Sequence, residues 1–226
     1  MTTDISWMIG GPQGSGVESA ANIFSRSCAA LGYNIFGKRE FYSNIKGEHS
    51  YFVVRVSDKT VRSNVNDVTM MVAFDAETIF RHYSEVVKDG AIIYDSELSA
   101  TKVDEVHTLD AQYKSRLLAH IASKNKKPTI QDVLELAKEN GVKLYPISFK
   151  DVLSSMADET NNPKLKGMVR MYNVLSVSFS LGVLKMPPTT LLESIGVIFA
   201  KKQAVADMNK HAANYAYNHE IGRAHV

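Results

Sequence analysis

Two hydrophobic periods alternate along this chain. Ile5 to Ile9 is an apolar run of strand length, and it ends in the cluster Gly10-Gly11-Pro12-Gln13-Gly14-Ser15-Gly16. From Val17 the period becomes helical. Val17, Ala20, Ala21, Phe24, Cys28 and Leu31 share one face at three- and four-residue spacing, and Gly32 supplies the C-terminal stop. Tyr33 to Phe36 reads as a short second strand, and Lys38 to Gly47 as a polar loop of functional length. Ser50 to Val56 is rich in β-branched and aromatic residues and predicts a strand. Ser57-Asp58-Lys59 then reads as a tight turn, with Thr60 to Arg62 starting a return strand, so a hairpin-like insertion is expected here.

Val68 to Phe74 is continuously apolar, as in a central parallel strand buried on both faces. A helix follows over Ala76 to Tyr83, then a turn at Lys88-Asp89-Gly90 and a strand over Ala91 to Tyr94. Ala111 to Lys124 and Ile130 to Asn140 predict helices, with Gly141 closing the second and Val142 to Ile147 forming another strand. Phe149 to Asp158 is helical. After Pro163 the pattern is helical over Leu165 to Leu184, Pro188 to Phe199 and Gln203 to His219. Strands alternating with helices imply an α/β fold: a mostly parallel twisted sheet with helices on both faces, a hairpin-like insertion and a helical C-terminal portion. One domain is expected over residues 1–220. Residues 221–226 lack periodicity and read as a non-native tail, which implies a longer natural chain.

Composition narrows the function. The formal charge of +2 is too balanced to point to nucleic acid. No apolar run reaches the roughly 18 residues of a membrane span. The N-terminus lacks the basic start of a signal peptide, so a cytoplasmic protein without membrane contact is expected. The single cysteine, Cys28, excludes a disulfide framework and a cysteine-ligated cluster within this chain. Its apolar neighbours make it a small buried filler.

The glycine cluster between strand and helix leaves backbone N–H groups uncovered at a helix N-terminus, a place suited to phosphate. It is not a P-loop, because Val17-Glu18 stands where Lys-Ser or Lys-Thr is needed. The segment from Gly14 to Ser19 approaches the dinucleotide fingerprint, with Ser19 in place of the third glycine. Lys38 and Arg39 then replace the ribose-binding acid, which would suit the 2′-phosphate of NADP. A tight turn without ligand is the third reading.

Phe41 to Phe52 is the more informative stretch, with polar side chains and a glycine crowded into a connection that could be short. The order I-G-G-x-x-G-x-G, A-L-G-Y, R-E-F-Y-S-N-I-K-G-x-H-S-Y and V-R-V-S-D-K resembles the gamma domain of 2-oxoacid:ferredoxin oxidoreductases, the pyruvate, 2-oxoglutarate and ketoisovalerate enzymes. Phe74 to Thr78, Gly90 to Asp95, Met171-Tyr172-Asn173 and Phe199 to Lys202 extend the resemblance over roughly residues 4–215. The Tyr-Ser-Asn-Ile-Lys-Gly form is most similar to the version in which this domain is the N-terminal part of a longer alpha subunit.

The resemblance implies oxidative decarboxylation of a 2-oxoacid to acyl-coenzyme A, with thiamine diphosphate, magnesium and 4Fe-4S clusters held elsewhere in the complex. It implies a beta subunit, the remaining domains of the alpha subunit and ferredoxin as partners. The fragment alone is expected to be inactive and to hold no metal or catalytic residue. Its local role would be one wall of the coenzyme A or substrate cleft. Gly11, Gln13, Gly14, Ser15 and Gly16 would offer donors to a coenzyme A phosphate. Lys46 would supply a point charge, Asn44 and His49 hydrogen bonds, and Arg55 a pairing with an acid or phosphate, while Asp75 stands at the end of a central strand, where open α/β sheets bind ligands. Each has a plainer alternative: a solvated Lys46, a His49 that fixes its loop, an Arg55 in a surface salt bridge, an Asp75 that caps a helix. Two other functions stay open at this point, an NADP-binding reductase domain and a purely structural assembly module.

Overall fold

The computed structural model describes residues 3–41 and 49–221. Six strands form one sheet: β1 (Asp4–Pro12), β2 (Asn34–Phe41), β3 (His49–Ser57), β4 (Val68–Ala73), β5 (Val86–Asp95) and β6 (Lys143–Ile147), in the order β2-β3-β1-β4-β5-β6. β1, β4, β5 and β6 run parallel, while β3 pairs antiparallel with β1 and β2 with β3. The helices are α1 (Val17–Ala30), α2 (Ala76–His82), α3 (Ala111–Ser123), α4 (Ile130–Glu139), α5 (Phe149–Glu159), α6 (Tyr172–Val183), α7 (Thr189–Ile198) and α8 (Gln203–Ile221).

The two-residue period of the strands builds two cores. Trp7, Ile9, Val54, Val56, Met70, Val72 and Ile93 face one side, where they pack with residues of α1, α5, α6, α7 and α8. Met8, Val53, Met71, Ala73 and Ile92 face the other, under residues of α2, α3 and α4. Burial on both faces explains why β1 and β4 read as unbroken apolar runs. Trp7, fully buried, stacks on Phe24 at 4.2 Å, and its Nε1–H donates to Ser180 Oγ at 2.9 Å.

The expected fold class holds, with corrections of detail; the strand expected over Ala91 to Tyr94 starts already at Val86, so Lys88-Asp89-Gly90 lies within β5. The second strand does not end at Phe36 but continues to Phe41, because Lys38, Arg39 and Glu40 pair with Val53, Phe52 and Tyr51 of β3. Their charges suit an edge strand, where one side of the ladder stays open. The hairpin partner of β3 is therefore β2. Thr60 to Arg62 forms no strand, since both edges of β3 are already taken by β1 and β2. The helix expected over Leu165 to Leu184 breaks into 3-10 turns at Pro163–Gly167 and Val169–Met171 before α6. This break puts Asn173 in the first turn of α6. The stretch 221–226 read as a tail lies outside the described residues, apart from the backbone of Ile221 at the end of α8. No described helix is long and apolar enough to cross a membrane.

Candidate functional site

The C-terminal ends of β1, β4, β5 and β6 lie on one edge of the sheet, the edge at which open α/β sheets carry ligands. β3 starts at the same edge, where His49 faces Pro12 across the ladder and Ser50 faces Gly11. Ser50 Oγ donates to the Gly11 carbonyl at 3.4 Å. The glycine stretch and the start of the His49 strand thus share one edge, as the sequence led us to expect. Asn44 and Lys46 lie outside the described residues.

Within the loop, the Ser15 N–H donates to the Pro12 carbonyl at 3.0 Å and closes a tight turn. That backbone donor is therefore spent, and Ser15 has its hydroxyl left to offer. Gly14 and Gly16 have φ of 91° and 99°, a region that disfavours any side chain. Gly16 precedes α1 with no side-chain cap, and the first helical bond runs from the Ala20 N–H to the Gly16 carbonyl at 3.0 Å. The N–H groups of Val17, Glu18 and Ser19 consequently have no partner within the helix. Gly11 is buried, and Gln13 is half-buried beside it.

α6 completes the site. Phe149 packs edge-on to Phe74 at 6.3 Å and stacks on Tyr172 at 4.9 Å, so an aromatic row runs from the end of β4 to the start of α6. The row sets the Asn173 amide directly over the Cα of Gly16, in the space a β-carbon would fill. Asn173 Oδ1 and Ser15 Oγ are buried atoms with no hydrogen-bond partner. Burial pushes the Tyr172 hydroxyl pKa up, helped by the negative charges of Asp95 and Glu97. Asn173 was not a candidate from sequence. Its signal was the Met171-Tyr172-Asn173 match, which without the helix break has no reason to face the loop.

The other candidates separate cleanly. Arg55 is at the far end of β3 and holds Asp4 through two bonds of 2.9 and 2.7 Å, a surface salt bridge. Asp75 caps α2, accepting from the Thr78 N–H at 2.9 Å and the Thr78 hydroxyl at 2.6 Å. Burial raises its pKa. Lys38 pairs with Glu40, and Arg39 donates to Glu18 at 2.8 Å. Both stand on an edge strand separated from β1 by β3. They are not the 2′-phosphate contacts of a dinucleotide fold, whose second strand lies beside the first.

His49 is 1% exposed and His82, the last residue of α2, is 3% exposed. Their Nε2 atoms are 3.0 Å apart. Burial, followed by the influence of His82 and Arg81, holds the His49 pKa down at about 3, so the ring is neutral. His49, Asp75 and Glu77 bring one potential ligand atom each within 4.8 Å of one another. Their oxygens are engaged: Glu77 accepts from Arg81 Nε at 2.7 Å and from the Thr108 hydroxyl, and Asp75 Oδ1 accepts from Thr78. Each carboxylate of the trio is thus held by partners of its own, and His49 by His82. Cys28 is buried, its thiol pushed up to about 12 by burial, as a filler should be.

Residues 6–219 match the family model described as pyruvate ferredoxin/flavodoxin oxidoreductase. The 2-oxoacid:ferredoxin oxidoreductase 1 alpha subunit of Sulfurisphaera tokodaii is 38% identical over 214 residues, covering 95% of this chain and 34% of that protein. The corresponding alpha subunit of Saccharolobus solfataricus is 40% identical over 213 residues, covering 94% of this chain and 33% of its own length. The chain therefore spans about a third of the length of these relatives. The same fold occurs in 2-oxoglutarate:ferredoxin oxidoreductase from Magnetococcus marinus, solved with 2-oxoglutarate, coenzyme A and succinyl-CoA bound. There the TM-score is 0.67 at 19% identity, covering 99% of this chain and 32% of that one. It occurs again in a pyruvate oxidoreductase subunit from Thermotoga maritima, with TM-score 0.59 and 15% identity, covering 95% of this chain and 96% of that one. With the family model spanning nearly the whole sequence and relatives of this identity, the chain belongs to the pyruvate ferredoxin/flavodoxin oxidoreductase family.

Proposed function

We propose that this chain is the gamma-type domain of a multi-subunit 2-oxoacid:ferredoxin oxidoreductase, and that its glycine edge forms one wall of the coenzyme A cleft. The carrying observation is the pair of buried, unpartnered oxygens, Ser15 Oγ and Asn173 Oδ1, near the uncapped N-terminus of α1. A buried polar atom without a partner costs about 1–3 kcal/mol, so a ligand that satisfies both atoms recovers that cost on binding. Coenzyme A has the matching chemistry. Its phosphates suit the helix N–H groups and the Ser15 hydroxyl, and its amide N–H groups suit an acceptor such as Asn173 Oδ1. Gly11, Gln13, Gly14 and Gly16 shape the approach, and Asn44, Lys46 and His49 are the remaining candidates for contact with the ligand. The Magnetococcus protein of the same fold carries coenzyme A, which favours this ligand over NADP.

The rest of the chemistry belongs to other parts of the complex. Thiamine diphosphate supplies the decarboxylation chemistry where it is bound. The single cysteine here, buried Cys28, does not fit the ligand set of a 4Fe-4S cluster. Electron transfer to ferredoxin and contact with a beta subunit follow from membership of such a complex, working in the cytoplasm. Ser15→Ala and Lys46→Ala in the assembled enzyme test the assignment. The KM for coenzyme A should rise about tenfold, the equivalent of ~1.4 kcal/mol, with the KM for the 2-oxoacid unchanged. Unchanged constants for both substrates would make the domain an assembly module.

A further inference from the structure

Lys38 and Arg39 take opposite sides of the sheet. In the ladder between β2 and β3, Lys38 faces Val53 and Arg39 faces Phe52, and residues opposite one another point to the same side. Val53 belongs to the core under α2, α3 and α4, whereas Phe52 packs on the core that α1 covers. Arg39 is therefore the one of the two on the α1 side, and Lys38 pairs with Glu40 on the other. The row Arg39, Phe52, Ile9 stands two residues from the row Phe41, Ser50, Gly11 at the glycine edge. From this place an Arg39 Nη1–H donates to Glu18 Oε2 at 2.8 Å, with both side chains exposed.

Glu18 is the second residue of α1 and the acid of its first turn. That helix end has no side-chain cap, and a negative charge in the first turn is drawn to its uncovered N–H groups. Glu18 thus suits the empty helix end, but it competes with a bound phosphate for the same donors and repels it as a like charge. We infer that Arg39 is a positioning residue for the phosphate end of the coenzyme A wall: by holding the Glu18 carboxylate it neutralises the competing charge and keeps the head of α1 open to an anion. This role rests on the reading of that helix end as the phosphate contact, which Ser15 Oγ and Asn173 Oδ1 carry. An ion pair so exposed contributes little to stability, so its effect falls on binding rather than on the fold.

Steady-state kinetics of the assembled enzyme with Arg39→Ala, Glu18→Gln and the double variant test this role. Arg39→Ala should raise the KM for coenzyme A about two- to fivefold, with kcat and the KM for the 2-oxoacid unchanged. The rise should vanish in the Glu18→Gln background, where no charge is left to hold, and Glu18→Gln alone should not raise the KM. Ionic strength increased from about 0.05 M to about 0.5 M should shrink the difference between Arg39→Ala and the parent, because the charges are exposed. A KM unmoved by Arg39→Ala, a rise that persists with Glu18→Gln, or an equal rise in both single variants would overturn the role. Ser15→Ala, measured alongside, tells the two readings apart. A KM raised by Ser15→Ala and not by Arg39→Ala leaves the coenzyme A wall standing and removes Arg39 from it. A KM raised by Arg39→Ala and rescued by Glu18→Gln, with Ser15→Ala silent, sustains the charge role and removes Ser15 from the contact. A KM that neither variant raises removes both.

Discussion

Gly16→Ala separates the two reasons for a glycine at the head of α1. At φ 99° and ψ 12° a side chain is strained, and holding a non-glycine residue in such a region costs about 1–3 kcal/mol. A new methyl group also meets the Asn173 amide, but that amide is the end of a rotatable side chain and can swing aside at lower cost. Backbone strain should therefore dominate stability. Against it, alanine narrows the unfolded ensemble and returns about 0.4–1 kcal/mol. The net loss should be about 1–2 kcal/mol, a Tm drop of about 2–8 °C for a chain of this size. Differential scanning calorimetry of Gly16→Ala, Asn173→Ala and the double variant gives a complete cycle. The Tm loss of Gly16→Ala should persist in the Asn173→Ala background. Coenzyme A affinity should fall in either single variant, since both lose the amide from its place. An unchanged Tm, or full rescue by Asn173→Ala, would refute the backbone explanation and leave side-chain crowding as the reason for Gly16.

Ser180→Ala removes the acceptor of the fully buried Trp7 indole and should cost about 1–3 kcal/mol, read as a lower urea midpoint at unchanged m-value. Parent-like stability would show that the indole N–H has found another partner. Acid unfolding should carry the mark of His49. Its folded pKa lies at about 3 against an ordinary 6.5, so the unfolded chain binds the extra proton between those values. The His49 contribution is complete above about pH 6.5 and drains away as pH falls towards 3, by up to ~1.4 kcal/mol per pH unit. Urea titrations at pH 7, 5.5 and 4.5 should show a shallower pH dependence in His49→Gln than in the parent; parallel curves would contradict a neutral, buried His49.

The fold was legible where one period dominates. Val68–Ala73 and the helix from Val17 carry enough apolar residues in a single rhythm for local sequence to decide them. Lys38 to Glu40 misled for the opposite reason. Their charges look like a loop, yet pairing with β3 extends the strand, and only the partner strand reveals it. At the site, the glycine cluster announced a tight turn beside a helix start; the left-handed φ of Gly14 and Gly16 is seen only in the structure. Asn173 stayed hidden because its place depends on the aromatic row and the break before α6, more than 150 residues along the chain. His49 was visible as a polar residue before a strand. Its pairing with His82 was not, since it arises from a strand start meeting a helix end.

The most direct measurement is calorimetric titration of the assembled oxidoreductase with coenzyme A and, separately, with NADPH, for the parent and for Ser15→Ala and Asn173→Ala. Coenzyme A should bind the parent, each substitution should weaken it about tenfold, equivalent to ~1.4 kcal/mol, and NADPH should give no heat. Coenzyme A binding indifferent to both substitutions, or tight NADPH binding lost in them, would contradict a coenzyme A wall at the glycine edge.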